Sequence, residues 1–164
     1  MDFLVKCAAD GDKDAFIELM EQEKVRMYKV AYCYLHNDAD IADAMQETVL
    51  AVYEKIGTLK NYRYFRTWMT KILINKCMDI LREYKHQNML TRSAEPEIQT
   101  DEHLAEFKDV LDQIDEKYRI ILVLRYVYGM KTKEIAQVLQ LNENTVNTRI
   151  FRGTKLLREA YGFS

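Results

Sequence analysis

Apolar side chains recur at three- and four-residue steps along most of this 164-residue chain, and no stretch alternates with the two-residue period of a strand. The predicted elements are all helices. Asp10-Gly11-Asp12 ends a short first helix and caps a long one, along which Ala15, Phe16, Leu19, Met20, Tyr28, Ala31, Tyr32 and Leu35 keep helical spacing as far as His36-Asn37-Asp38. The next helix runs from about Asp40 to Ile56, with Ile41, Ala44, Met45, Val49, Val52, Tyr53 and Ile56 inward and Asp40, Asp43, Gln46, Glu47 and Glu54 outward. Gly57-Thr58 breaks the pattern and Leu59 to Tyr64 reads as a short loop. From about Phe65 to Tyr84 a further helix turns Phe65, Trp68, Ile72, Met78 and Leu81 to the core and Arg66, Lys71, Lys76, Arg82 and Lys85 away.

Between about Lys85 and Glu102 the period fails, the only proline occurs and the composition turns acidic, which predicts a flexible linker. Beyond it, His103 to Ile114 and Glu116 to Tyr126 predict two helices, the second closed by Gly129. Lys131 to Leu157 then reads as two short helices. Thr132 is placed to cap the first, which carries Ile135, Ala136 and Leu139 on one face, and Leu141-Asn142 supplies a turn and a second cap. That is a helix-turn-helix outline. In its second helix Val146, Ile150, Gly153 and Leu157 share an inner stripe, while Asn144, Thr148, Phe151, Arg152 and Lys155 lie opposite, flanked by Thr145, Asn147 and Arg149. Short hydrogen-bonding side chains mixed with cations suit contact with base edges and phosphates together, although the same outline also fits a solvated face closing a bundle. The expected fold is therefore all-α: two small helical domains, residues 1–86 and 103–164, joined by a flexible linker over 87–102, with the helix-turn-helix in the second.

Composition supports this picture. Apolar residues make up 48% of the chain, with five Gly and one Pro, which suits helices with ample cores. Cys7, Cys33 and Cys77 are odd in number and far apart, so they read as reduced, mostly buried hydrophobes. Ile120 to Leu124 is too short to span a bilayer and Met1-Asp2-Phe3 opens no signal peptide, so a cytoplasmic location is expected.

The net charge of -2 changes the picture only when divided along the chain. Met1 to Ile56 holds six Lys or Arg against twelve Asp or Glu, Leu59 to Lys85 seven against two, and Leu141 to Arg158 four against one. Two basic segments beside an acidic one suggest two nucleic-acid contacts and a separate protein-facing surface, because phosphates respond to local charge.

Catalytic chemistry finds few parts. Glu83-Tyr84-Lys85-His86 is a single Glu-x-x-His, whereas helical di-metal sites need two such pairs and further inward carboxylates. With His36, His86 and His103 the only histidines, and no phosphate loop or nucleophile beside a base, no catalytic residue, metal ligand or cofactor is expected. The loop is more informative: Asn61, Tyr62, Tyr64, Phe65 and Trp68 lie among Lys60, Arg63, Arg66 and Lys71. Aromatics interleaved with cations suit single strands, each stacked base contributing ~1–3 kcal/mol, though Phe65 and Trp68 also read as core.

Four blocks carry a resemblance to a known family. They are Ala9-x-Gly11-Asp12-x-x-Ala15-Phe16-x-x-Leu19; Asp40-Ile41-Ala42-Asp43-Ala44-Met45-Gln46-Glu47; Phe65-Arg66-Thr67-Trp68-Met69 with Ile74-Asn75-Lys76-Cys77-Met78-Asp79-Ile80-Leu81-Arg82; and Tyr118-Arg119, Leu122-x-Leu124-Arg125-Tyr126, Glu134-Ile135-Ala136 and Thr145-Val146-x-x-Arg149. In this order they resemble, from end to end, a bacterial RNA polymerase sigma factor of the extracytoplasmic-function (ECF) type, in the sigma-70 superfamily.

The resemblance implies roles. Asp40, Asp43, Gln46, Glu47 and Leu50 match the helix that docks on the clamp coiled coil of the polymerase largest subunit, and a second contact on the flap of the second subunit is expected. Lys60, Asn61, Tyr62, Arg63 and Tyr64 match the loop that captures a flipped base of the minus-10 element, and Arg66, Lys71, Asn75 and Lys76 the helix that holds the melted strand. Thr145, Asn147, Thr148, Arg149, Phe151, Arg152 and Lys155 fall at or beside positions that read the minus-35 element. The implied partners are core RNA polymerase, promoter DNA and a membrane-bound anti-sigma factor that holds the protein at the inner face of the membrane, and the implied output is a stress or envelope-response regulon. The flipping loop here is short and lacks Phe-Arg-Gly, Asn147 replaces a common Lys or Arg, and Gln140 takes a turn position often given to Gly. Two rivals share parts of the pattern. A two-domain regulator of the response-regulator kind would need strands in residues 1–85, and a helical adaptor would bind no DNA.

Overall fold

A computed structural model describes residues 1–87 and 102–162, and these form helices and turns without a strand. The chain divides into two units, one within Met1–Ala94 and one within Glu95–Ser164. Most of the expected linker, residues 88–101, lies outside the described residues.

In the first unit α1 (Asp2–Ala9) reverses at Gly11, whose φ of 98° favours glycine, into α2 (Lys13–Tyr32). The Asp12 carboxylate caps α2 by accepting from Ala15 N at 3.0 Å. Asn37 caps α3 (Asp38–Lys55) in the same way, accepting from Asp40 N at 2.8 Å, so this helix starts two residues before the expected position. A 3-10 turn at Ile56–Thr58 and another at Tyr62–Tyr64 lead into α4 (Phe65–His86). Helix α2 packs against α1, α3 and α4, and α3 lies along α4, around a core that includes Leu19, Met27, Val30, Ile41, Ala44 and Val52. Burying one such large aliphatic side chain stabilises by roughly 1.5–3 kcal/mol, so this contact between α2 and α3 outweighs any single surface ion pair.

Two expectations about this core need correction. The buried stripe of α4 is Phe65, Met69, Leu73 and Cys77, with Thr70 and Ile74 beside it, whereas Trp68, Ile72 and Leu81 are half-buried and Met78 is exposed. Because α4 meets both α2 and α3, its buried arc centres on the four-residue row between those neighbours, and the expected set followed the flank. Tyr53, expected inward, is exposed; its ring meets the edge of Phe16 with centroids 5.1 Å apart.

The second unit contains α5 (Glu102–Asp112), α6 (Glu116–Tyr126), α7 (Thr132–Leu139) and α8 (Glu143–Tyr161). Leu111, Ile114, Ile121, Leu124, Ile135, Val138 and Val146 are buried in it. Helices α6 and α8 approach closely at Gly153, where a Cβ would stand 3.1 Å from Leu122 Cδ1 and 3.2 Å from Tyr118 Cβ. The inner stripe of α8 is as expected, with Val146 and Gly153 buried and Ile150 and Leu157 half-buried.

The cap of α7 differs from the expectation. Thr132 is the first residue of the helix, and the capping bond is the Glu134 carboxylate accepting from Lys131 N at 2.8 Å. Gln140, at the C-terminal end of α7, has φ 54° and ψ 43°, the left-handed conformation that a two-helix turn requires. Asn142 then caps α8, accepting from Asn144 N at 2.8 Å.

Candidate nucleic-acid interface

The segment before α4 presents polar and aromatic side chains on a short, locally bonded turn. The Asn61 side chain accepts from Arg63 N at 3.1 Å and its backbone carbonyl accepts from Tyr64 N, which closes the Tyr62–Tyr64 turn. Lys60, Asn61, Arg63 and Tyr64 are exposed and Tyr62 is half-buried. Asp2 of α1 lies 3.8 Å from Arg63 Nε, a solvated pair of little energetic weight. Tyr64 then begins a stripe at alternating four- and three-residue steps: Tyr64, Trp68, Lys71, Asn75, Met78, Arg82. All are exposed except the half-buried Trp68. One side of α4 thus offers two aromatic rings followed by cations and an amide, an arrangement suited to stacked bases and phosphates.

Two basic side chains expected on this surface are already engaged. Arg66 Nε donates to Glu23 Oε1 at 2.9 Å, and Glu23 on α2 is 0% exposed. Lys76 Nζ donates to Glu47 Oε2 at 3.5 Å and so ties α4 to α3.

On α3, Asp43, Gln46, Glu47 and Leu50 are exposed at steps of three, one and three residues, which places them on one stripe. Leu50 is 53% exposed, an apolar residue at the end of a polar row. Asp40 is a correction. It is 4% exposed, and its Oδ2 accepts from Tyr84 Oη at 2.7 Å and from Asn37 Nδ2 at 2.5 Å, so it joins the start of α3 to the end of α4 instead of facing outward. A cleft of about 420 Å³ between α3 and α4 is lined by Asp40, Asp43, Glu47, Asp79 and Glu83, with Lys76 as the cation among its lining residues. The cleft thus gathers carboxylates of α3 with two from α4.

In the second unit the outward face of α8 is laid out as expected. Asn144, Asn147, Thr148, Phe151, Arg152 and Lys155 are exposed, and Thr145 and Arg149 are half-buried. Phe151 is 73% exposed, so its ring lies on solvent between Arg152 and the polar row. Thr148 Oγ1 donates back to the Asn144 carbonyl at 2.9 Å, which leaves its methyl outward-facing. The Thr132 hydroxyl donates to Asn147 Oδ1 at 2.9 Å, fixing the orientation of that amide across the turn and leaving its nitrogen as the group it can offer. Periodicity alone carries no signal for this bond, nor for the Glu23 ion pair, since in each case the partner lies on another helix. Among the described residues no group of three or more His, Cys, Asp or Glu could hold a metal, and no helix is long and apolar enough to cross a membrane.

Comparison with known proteins gives matches to both units. A sigma-70 region 2 family profile matches residues 19–87, and a sigma-70, region 4 profile matches residues 104–157. The chain is 28% identical over 156 residues to RNA polymerase sigma factor SigV of Bacillus subtilis, covering 89% of this chain and 90% of that protein. It is 26% identical to the ECF RNA polymerase sigma factor SigW of the same organism, covering 94% and 93%. The solved structure of CnrH in complex with the cytosolic domain of CnrY matches with a TM-score of 0.69 at 26% identity, over 98% of this chain and 96% of that one; CnrH is a sigma factor of Cupriavidus metallidurans.

Proposed function

We propose that this chain, which belongs to the sigma-70 family and within it to the extracytoplasmic-function group, brings core RNA polymerase to a specific set of promoters through three surfaces of its own. It acts in transcription initiation, and the free-standing regulator and adaptor alternatives are not favoured. The observation that carries the assignment of surfaces is the segregation of charge: an acidic row on α3, a basic and aromatic stripe on α4, and a mixed polar and cationic face on α8.

Asp43, Gln46, Glu47 and Leu50 dock on the clamp coiled coil of the largest subunit. Asp40 supports that row from behind by bonding α3 to α4. The 60–64 turn captures a base flipped out of the minus-10 element, and Lys71, Asn75 and Lys76 hold the strand that follows. Strand separation here draws on binding energy, because bases that stack on Tyr62 and Tyr64 are withdrawn from the duplex. The chain performs no covalent chemistry of its own. On α8, Asn147, Thr148, Phe151 and Arg152 read the minus-35 major groove, with Thr145, Arg149 and Lys155 on its backbone. The flap of the second subunit holds the same unit. A cognate anti-sigma factor, as CnrY is to CnrH, covers these surfaces; a membrane-bound one holds the chain at the inner face of the membrane and releases it into the cytoplasm on a stress or envelope signal.

Run-off transcription from a fragmented genomic library, using core polymerase with and without the chain, tests this assignment. New discrete transcripts sharing two upstream elements are the expected result. Absence of any new start site at low salt would reject it.

A further inference from the structure

Glu23 has no solvent exposure, and its two oxygens are used unequally. Oε1 receives Arg66 Nε at 2.9 Å and Arg26 Nη1 at 3.4 Å, while Oε2 has no hydrogen-bond partner. Removing a carboxylate from water is unfavourable unless a bonded counter-ion compensates, so Arg66 is held where it is by a group that cannot turn elsewhere. Arg66 is the second residue of α4, directly after the Tyr62–Tyr64 turn. A cation in the first turn of a helix opposes the helix dipole, which is a further reason for its head to leave the helix axis and seek Glu23.

The direction of Arg66 matters. At about 100° per residue, it lies roughly 140–200° around α4 from Tyr64, Trp68, Lys71 and Asn75, and about 80° from Lys76, whose ammonium is turned to Glu47 on α3. Its guanidinium faces α2, on the far side of the helix from the strand-binding stripe. We infer that Glu23 and Arg66 form a positioning pair that fixes the start of α4, directly after the 60–64 turn, against α2, and that Arg66 does not touch the melted strand. This inference rests on the proposed role of that turn in minus-10 capture. The pair joins residues 43 positions apart. Through it, α2 sets the direction in which Tyr64 leaves the turn and enters α4.

The test uses holoenzyme formed from core polymerase and the full chain, with anisotropy of a fluorescent single-stranded minus-10 oligonucleotide read across a salt series. Wild type should bind with an affinity that falls steeply with salt. Lys71→Gln, a removed phosphate contact, should reduce the magnitude of the slope of log K against log salt by about 0.7. Arg66→Gln and Glu23→Gln should each weaken binding about tenfold, leave the salt slope and core affinity at the wild-type values, and combine without additivity. Because either single variant leaves a buried charge or amide poorly partnered, E23M/R66M removes both groups; it should fold, bind core normally and keep the wild-type salt slope. A slope reduced by about 0.7 in Arg66→Gln or in E23M/R66M, with Glu23→Gln binding as wild type does, would make Arg66 a strand ligand and overturn the inference. A wild-type holoenzyme indifferent to the oligonucleotide at every salt concentration would instead remove the minus-10 role of the turn, and the positioning role with it.

Discussion

Gln140→Gly should stabilise the helix-turn-helix. Gln140 sits at φ 54° and ψ 43°, and both its own N–H and that of Leu141 point to the Ala136 carbonyl, so the turn cannot relax without losing those bonds. A side chain in the left-handed region is strained by roughly 1–2 kcal/mol, and glycine removes that strain. Glycine also gains freedom in the unfolded chain, which offsets about 0.4–1 kcal/mol. The Gln140 side chain is exposed, so little packing is lost and the net gain should be about 0.5–1 kcal/mol. Amide hydrogen exchange in the full chain reads this directly: protected amides of α7 and α8 should exchange about two- to fivefold more slowly, while those of α2 and α3 stay unchanged. Gln140→Ala is the control, because alanine keeps the Cβ that creates the strain. Equal protection in Gly and Ala variants, or faster exchange in the Gly variant, would refute the reasoning.

Arg152→Ala should cost ~1–3 kcal/mol at a minus-35 duplex and relax selectivity at one base pair, whereas Lys155→Ala should weaken all duplexes alike and lower the salt slope by about 0.9; competition binding at several salt concentrations separates the two. Asp43→Lys should abolish co-purification with core polymerase without altering the far-ultraviolet circular dichroism, since Asp43 is exposed. Asp40→Ala, in contrast, should lower thermal stability, because Tyr84 and Asn37 both lose a buried acceptor, at a cost of roughly 1–3 kcal/mol. Burial pushes the Cys77 thiol up to about 12 from a usual value of 9.0. The folded chain then keeps a proton that the unfolded chain releases, so this contribution to stability is complete below pH 9 and declines towards pH 12, by up to about 1.4 kcal/mol per pH unit. Cys77→Ala should flatten the fall in melting temperature between pH 8.5 and 10; an unchanged profile would count against the assignment, because Tyr28, held in the same direction by burial and by Asp38, contributes only above about 10.

How much of this was legible in the residues depended on the range of the interaction. Helix existence, the caps at Asp12 and Asn142 and the outward face of α8 follow from positions three or four residues apart, and all appear as expected. The left-handed backbone at Gln140 was signalled only through the resemblance, which marks a turn position often given to Gly, and no propensity of glutamine suggests it. The phase of α4 was less accessible. Its apolar arc is wide enough to admit two stripes, Phe65-Trp68-Ile72 and Phe65-Met69-Leu73, and only the joint presence of α2 and α3 selects the second. Thr132 illustrates the same limit at small scale, since a hydroxyl expected to accept from a backbone N–H lies one residue inside the helix and instead donates to Asn147 Oδ1 across the turn.

Charge was the least legible property, and the two buried carboxylates give the reason. Glu23 and Asp40 both contribute to the acidic balance of residues 1–56 that suggested a protein-facing surface, yet neither faces solvent. Each is neutralised or bonded by a residue of α4 more than forty positions away, Glu23 by Arg66 and Asp40 by Tyr84. The same contacts draw Arg66 out of the basic side of α4. The charge contrast that solvent and partners meet is therefore smaller in number than the composition implies. Part of it gathers as Asp43, Glu47, Asp79 and Glu83 around one cleft and as Lys71 and Arg82 along one stripe, while other exposed carboxylates stand on α1 and α2. Lys76 and Glu47 bridge the two regions at 3.5 Å, half solvated and without the burial that commits Glu23. Long-range steering of polymerase and promoter should accordingly respond to substitutions at Asp43 and Lys71, while Glu23 and Asp40 act through the shape they maintain.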